Sequence, residues 1–155
     1  MTYLQLVNSV LRRMRENEVT TIESTSDSYV KLIGEFVNDA RRIVEDAWDW
    51  SALRSTITVT TEDNLFSYSM TGTNNSFKIL DVINDTSNSF MRSASSSWMN
   101  NAYLVQEPVK GSPDYYSWNG VDANGNALVD LYPKPDKAYT LRFNIVDRAD
   151  PFALD

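Results

Sequence analysis

The hydrophobic period of this chain changes once, near Arg54, from the three-to-four spacing of amphipathic helices to the strict alternation of half-buried strands. A helix buries a stripe and a strand buries a face, so the two parts of the sequence answer to different packing rules. In the first part, Thr2 is placed to cap a helix running to about Glu18, with Leu4, Val7, Leu11 and Met14 at helical spacing and Leu6 and Val10 widening the stripe. A polar connection over Glu18 to Ser26 follows. Asp27 or Ser28 then caps a longer helix reaching about Trp50, on which Ile33, Phe36, Val37, Ala40, Ile43, Val44, Ala47 and Trp48 form one apolar stripe. The opposite face carries Glu35, Asp39, Arg41, Arg42, Glu45, Asp46 and Asp49, five acids against two bases. Arg12, Arg13 and Arg15 near the end of the first helix suit the negative end of its dipole.

Beyond Arg54 the period is two. Thr56 to Thr60 alternates apolar residues with threonine, Phe66, Tyr68 and Met70 alternate after a Glu62-Asp63-Asn64 turn, and a third strand covers Phe77 to Ile83 after a turn over Thr71 to Asn75. Asp85 to Asn88 turns the chain into a short strand at Phe90 to Arg92. Connections this short predict an antiparallel meander. The serines at 93–97 open a short helix over Trp98 to Tyr103. Strands at Ala127 to Tyr132 and Tyr139 to Val146 close the body, separated by a Pro133-Lys134-Pro135-Asp136 turn whose prolines exclude it from a central ladder. The expected fold class is α+β, two N-terminal amphipathic helices packed with an antiparallel β-sheet body, in a single domain over 1–155 with a helical part at 1–53 and a β-rich part at 54–155. A chain of 155 residues buries roughly 70% of its unfolded surface, enough for one real core.

Composition narrows the chemistry. The sequence has no cysteine and no histidine, which removes Ser-His-Asp and Cys-His catalysis, disulfides and the usual catalytic zinc sites. Carboxylate, lysine, tyrosine or metal-carboxylate chemistry is what survives for an enzyme. Two acidic groupings invite a metal reading. Glu45, Asp46 and Asp49 are ordinary on a solvated helical face, and Asp122-Ala123-Asn124-Gly125-Asn126 places its glycine wrongly for a calcium loop whose twelfth position would be Pro133. Asn124-Gly125 is instead a strong hairpin signal between a strand around Trp118 and one beginning at Ala127. No cofactor or metal is expected, and the chain reads as no enzyme. A net charge of −7 disfavours gripping nucleic acid, yet suits a surface past which DNA slides. No apolar run approaches a membrane span, and Met1 to Leu6 has no early positive charge, so neither membrane insertion nor export is expected.

The helical part reads Met-Thr-Tyr-Leu-Gln-Leu-Val-Asn, then Phe36-Val37-Asn38-Asp39-Ala40-Arg41-Arg42, and ends in Trp48-Asp49-Trp50-Ser51-Ala52-Leu53-Arg54. The β-rich part carries Gly111-Ser112-Pro113-Asp114-Tyr115-Tyr116 and Leu131-Tyr132-Pro133-Lys134-Pro135-Asp136 ahead of Tyr139-Thr140-Leu141-Arg142-Phe143. In this order the motifs resemble the head-to-tail adaptor proteins of short-tailed phages, the connector or tail-tubular-A-like group, over nearly the whole chain. The resemblance implies a structural virion protein: a homo-dodecameric ring below the portal protein that extends the DNA channel, offers a platform to the tail nozzle protein, and lets DNA pass without sequence-specific contacts. It implies a location at the head-tail junction of the virion, and in the host cytoplasm during assembly. Adaptors of this group continue into C-terminal helices and a portal-reaching tail, which this sequence, ending at Asp155, is expected to lack.

For such contacts the side chains with suitable chemistry are Arg12, Arg13, Arg41, Arg42, Asp46, Trp50, Trp98, Tyr115, Tyr116 and Trp118. The alternative from another class is a β-rich carbohydrate-binding or tail-fibre module that stacks sugars on Tyr115, Tyr116 and Trp118.

Overall fold

A computed structural model describes residues 1–22, 27–71, 77–104, 107–149 and 152. It is α+β, with three α-helices and antiparallel-rich sheets, and it divides into two compact units, Met1–Trp50 with Ala149–Asp155, and Ser51–Arg148.

In the first unit, helix α1 (Tyr3–Arg13) begins with a capping box: the Gln5 amide donates to Thr2 Oγ1 and the Thr2 amide donates back to Gln5 Oε1. It stops earlier than the sequence pattern suggests, because Arg15 turns into the left-handed region at φ 63°. Helix α2 (Ser28–Asp46) is capped by Asp27, whose carboxylate accepts from the Tyr29 amide. Tyr3, Val7 and Leu11 of α1 meet Val30 and Ile33 of α2 over Ile22, with Val37 and Phe152 at the margin. The long stripe expected to be buried is therefore buried only in part. Phe36, Ile43, Val44 and Trp48 are 57%, 71%, 57% and 70% exposed. Phe36 and Ile43 lie round the helix from Ile33 and Val37, on a flank that α1 does not reach, and α1, at 11 residues and about 16 Å against about 28 Å for the 19 residues of α2, is too short to cover Val44 as well.

The second unit opens with a 3-10 turn (Ser51–Leu53) and eight strands: β1 (Arg54–Thr60), β2 (Ser67–Ser69), β3 (Phe77–Asn84), β4 (Ser89–Phe90), β5 (Arg92–Ser93), β6 (Tyr115–Val121), β7 (Ala127–Tyr132) and β8 (Thr140–Asp147), with helix α3 (Ser96–Leu104) between β5 and β6. The turn expected over Thr71 to Asn75 falls mostly outside the described residues. The strands do not form the expected meander. They make two four-stranded sheets, β1-β8-β3-β4 and β2-β7-β6-β5, antiparallel except for the short β5/β6 pair. The last strand lies between β1 and β3, its Leu141, Phe143 and Ile145 wholly buried. A strand this apolar is most stable in the middle of a sheet, with both edges paired. The inner faces of the two sheets share one core: Val82 and the β8 residues come from one, Tyr68, Tyr116, Val129 and Leu131 from the other.

Candidate assembly surfaces

The ten residues singled out in the sequence fall into three settings. Arg12 and Arg13 are exposed on the last turn of α1, where Arg12 Nε is 3.2 Å from the Glu18 carboxylate, and with Ser9 they line a shallow, open depression. Arg42 and Asp46 are exposed on α2, and Trp50 is 44% exposed while donating from Nε1 to the Val44 carbonyl at 2.8 Å. These positions offer charge and aromatic area at the surface.

Arg41 is different. Its Nε is 2.7 Å from Glu45 Oε1 and its guanidinium lies 4.2 Å from the centroid of the Phe152 ring, which also stacks on Tyr3 at 5.2 Å. The Phe152 backbone is gripped at both ends by Asn38: its amide donates to Oδ1 at 3.1 Å and its carbonyl accepts from Nδ2 at 3.4 Å. Arg41 therefore closes the helical unit around a residue from the far end of the sequence. Nothing in the helical pattern signals this, since Phe152 is more than a hundred positions away.

The aromatics of the β-rich unit split by strand alternation. Tyr116 and Trp118 point into the core, where Tyr116 is 6.3 Å from Phe143 and Trp118 is 5.5 Å from Phe77. Tyr115 points the other way, 5.0 Å from Trp98 of α3, and Trp98 also meets Tyr132 edge-on at 5.3 Å. The three rings of the carbohydrate reading thus lie on opposite faces of β6 and form no common stacking platform. Trp98, 41% exposed, is the aromatic of this set most open to a partner. The Ser95 hydroxyl accepts from the Trp98 amide and opens α3, as the serine run predicts.

Beneath α3 lies a buried carboxylate. Asp130 of β7 is 4% exposed, and among the described residues its Oδ1 has no hydrogen-bond partner. Loss of water raises its pKa, against the pull of hydrogen bonds from Ser67 and Asn119. Tyr103 beside it donates to the Leu131 carbonyl, and burial followed by the nearby Asp130 charge pushes its phenol well above the ordinary range. Asp122 behaves oppositely. It accepts from the Asn126 side chain and amide, the Ser69 hydroxyl and the Asn124 amide, in that way tying the β6/β7 turn, and these donors lower its pKa to about 2. The acidic segment that superficially suggested calcium spends its carboxylate on its own turn. Among the described residues no group of three or more carboxylates is gathered as a metal site, and no helix is long and apolar enough to cross a membrane.

The two proline-tyrosine motifs, more than a turn of sequence apart, are neighbours in space. Gly111 donates to the Lys134 carbonyl, Lys134 to the Val109 carbonyl and Asp114 to the Tyr132 carbonyl, while Asn84 reaches across from β3 to Ser112 Oγ and the Pro113 carbonyl. Tyr139 then donates to Asp136 at 2.7 Å. These bonds knit the two motifs to one another and the first of them to the end of β3.

No curated protein sequence matches the chain. A model of the SU10 adaptor protein family matches residues 1–155, the whole sequence. The chain therefore belongs to the SU10 adaptor protein family, structural adaptor proteins of phage particles.

Proposed function

We propose that this protein acts as a head-to-tail adaptor: twelve copies form a ring below the portal protein, prolong the DNA channel, and present a platform to the tail nozzle protein. The observation that carries this reading is the family match over the full sequence. The resemblance of the Gly111–Tyr116 and Leu131–Asp136 motifs to the adaptors of short-tailed phages supports the finer details, ring order and neighbours included.

The surfaces fit the role physically. An assembly protein needs exposed apolar and aromatic area, and Phe36, Ile43, Trp48, Trp50 and Trp98 supply it. A net charge of −7 repels phosphate, so DNA crosses such a ring without sticking or being read. The protein works by geometry and carries out no reaction; it is made in the host cytoplasm and ends at the head-tail junction of the virion. The contacts are drawn from Arg12, Arg13, Arg42, Asp46, Trp50, Trp98 and Tyr115, with Tyr116 and Trp118 held back in the core. Native mass measurement of the full chain mixed with the portal ring of its phage tests the reading. A complex carrying twelve copies per portal is expected; a folded chain that joins no portal contradicts it.

A further inference from the structure

The helical unit holds one residue as a receptor holds a ligand. Phe152 belongs to neither helix, yet three side chains of α1 and α2 each take a different part of it. Asn38 accepts its amide proton at Oδ1, at 3.1 Å, and donates from Nδ2 to its carbonyl at 3.4 Å. Tyr3 stacks on its ring at 5.2 Å with 18° between the planes, and the Arg41 guanidinium lies 4.2 Å from the centroid of the same ring. These groups are themselves fixed by the helices. Glu45 holds Arg41 Nε at 2.7 Å, the two side chains being 21% (Arg41) and 11% (Glu45) exposed, and Gly34 leaves the space that the Tyr3 hydroxyl fills.

The chemistry of this socket defines what it takes. A side-chain amide carries the same donor and acceptor as a peptide group, so Asn38 pairs with the Phe152 backbone as a neighbouring strand would. That pairing accepts any residue except proline. The ring is chosen by Tyr3 and Arg41, a stacking face and a cation that both favour an aromatic. The ligand class is therefore an aromatic residue in an extended peptide. Nothing in the socket requires that residue to come from the same copy. Phe152 is tied to the end of β8, Asp147, by five Cα steps, a reach of at most ~18 Å. It is only partly buried, so its release breaks few contacts compared with unfolding the helices.

We infer that the socket of Tyr3, Asn38 and Arg41 is an exchange site, filled by the chain's own Phe152 when the copy is free and by the Phe152 of the adjacent copy in the ring. This rests on the ring reading and supplies a contact for it. The occupant is a second copy because its Phe152 makes the same bonds, so exchange needs no new complementary surface. The segment given differs from the socket received, so the contact repeats head to tail around a ring. Tethering decides when it forms. In a free copy the short link keeps the chain's own Phe152 at high effective concentration, whereas on a preformed platform the neighbour's is held equally near and exchange costs no further association.

The absence of native cysteine makes the test direct. One double variant carries Glu35→Cys, at an exposed α2 position beside Tyr3, and Ala153→Cys, next to Phe152. Light and nitrogen-15-labelled pools are mixed in equal amounts, loaded on the portal ring and treated with a short bismaleimide, and the linked peptides are weighed. Full exchange gives as much light-heavy product as same-isotope product in the ring, and almost only same-isotope product in the unassembled chain. Asp39→Cys in place of Glu35→Cys repeats the assay if the first variant melts below the parent. On a Phe152→Ala background the mixed product should disappear; its persistence would show that the reagent reports crowding, and would overturn the exchange. Copies that load but give only same-isotope product, or no linked product, show that exchange is wrong while the ring stands. If the parent chain loads no copies, the ring reading and the exchange fall together.

Discussion

A Cβ atom added to Gly34 would lie 2.5 Å from the Tyr3 hydroxyl oxygen, so the closest approach of α1 and α2 depends on a helical glycine. The same hydroxyl is buried and, among the described residues, has no hydrogen-bond partner; burial first, and then Glu35, raises its pKa. Gly34→Ala should lose about 1 kcal/mol, the ~1–3 kcal/mol of overpacking exceeding the ~1 kcal/mol gained in helix propensity. With Tyr3→Phe the oxygen is gone and the sign should reverse, Gly34→Ala then stabilising by up to about 1 kcal/mol. Urea denaturation of the two single variants and the double variant measures this; a Gly34→Ala effect independent of residue 3 would refute the contact.

Asn84 is wholly buried and holds three groups, Ser112 Oγ, the Pro113 carbonyl and, through Oδ1, the Ser87 amide. Asn84→Ala orphans them and should cost about 2–4 kcal/mol. The loss should appear as a lower denaturation midpoint with an unchanged slope. A loss below about 0.5 kcal/mol, the range of ordinary surface changes, would mean that Asn84 does not hold the Ser112–Pro113 segment to the end of β3.

Neighbouring arginines should separate cleanly. Arg41, under Glu45 and over Phe152, is a packing residue, and Arg41→Ala should cost about 1–2 kcal/mol. Arg42 is exposed, and Arg42→Ala should stay within about 0.5 kcal/mol while weakening loading on the portal. Equal stability losses at the two positions would contradict the placement of Phe152.

Acid should act on the two notable aspartates in opposite senses. Asp122 has its folded pKa lowered to about 2 from an ordinary 3.8, so the stability it contributes is present above pH 4 and is lost as pH falls towards 2. Asp130 has its folded pKa raised, so its ionisation opposes folding as pH rises, and Asp130→Asn should raise stability at pH 7. Carboxyl carbon shifts across a pH titration report both midpoints. An Asp122 midpoint at or above 3.8, or an Asp130 midpoint below it, would overturn the corresponding assignment.

Local signals carried well through to the structure. Thr2 and Asp27 cap their helices, Asn64 and Asn88 take left-handed turn conformations at φ 69° and 53°, and Asp122 with Gly125 makes the hairpin turn. Each needs only neighbours within a few residues. The meander failed because alternation says which face a side chain takes and leaves the neighbouring strand open; β8 finds β1 some ninety positions upstream. The α2 stripe was read as one where there are two, since Ile33 and Val37 differ from Phe36 and Ile43 only in whether a helix lies over them. Alternation alone already separated Tyr115 from Tyr116, and that signal was in the sequence to be used.

The place of the protein in the particle decides its role. Cryo-electron microscopy of the virion, at a resolution that traces side chains, should show twelve copies of this chain in one ring directly below the portal. Density for the chain in a fibre or elsewhere away from the portal, or a head-tail junction built without it, would contradict that.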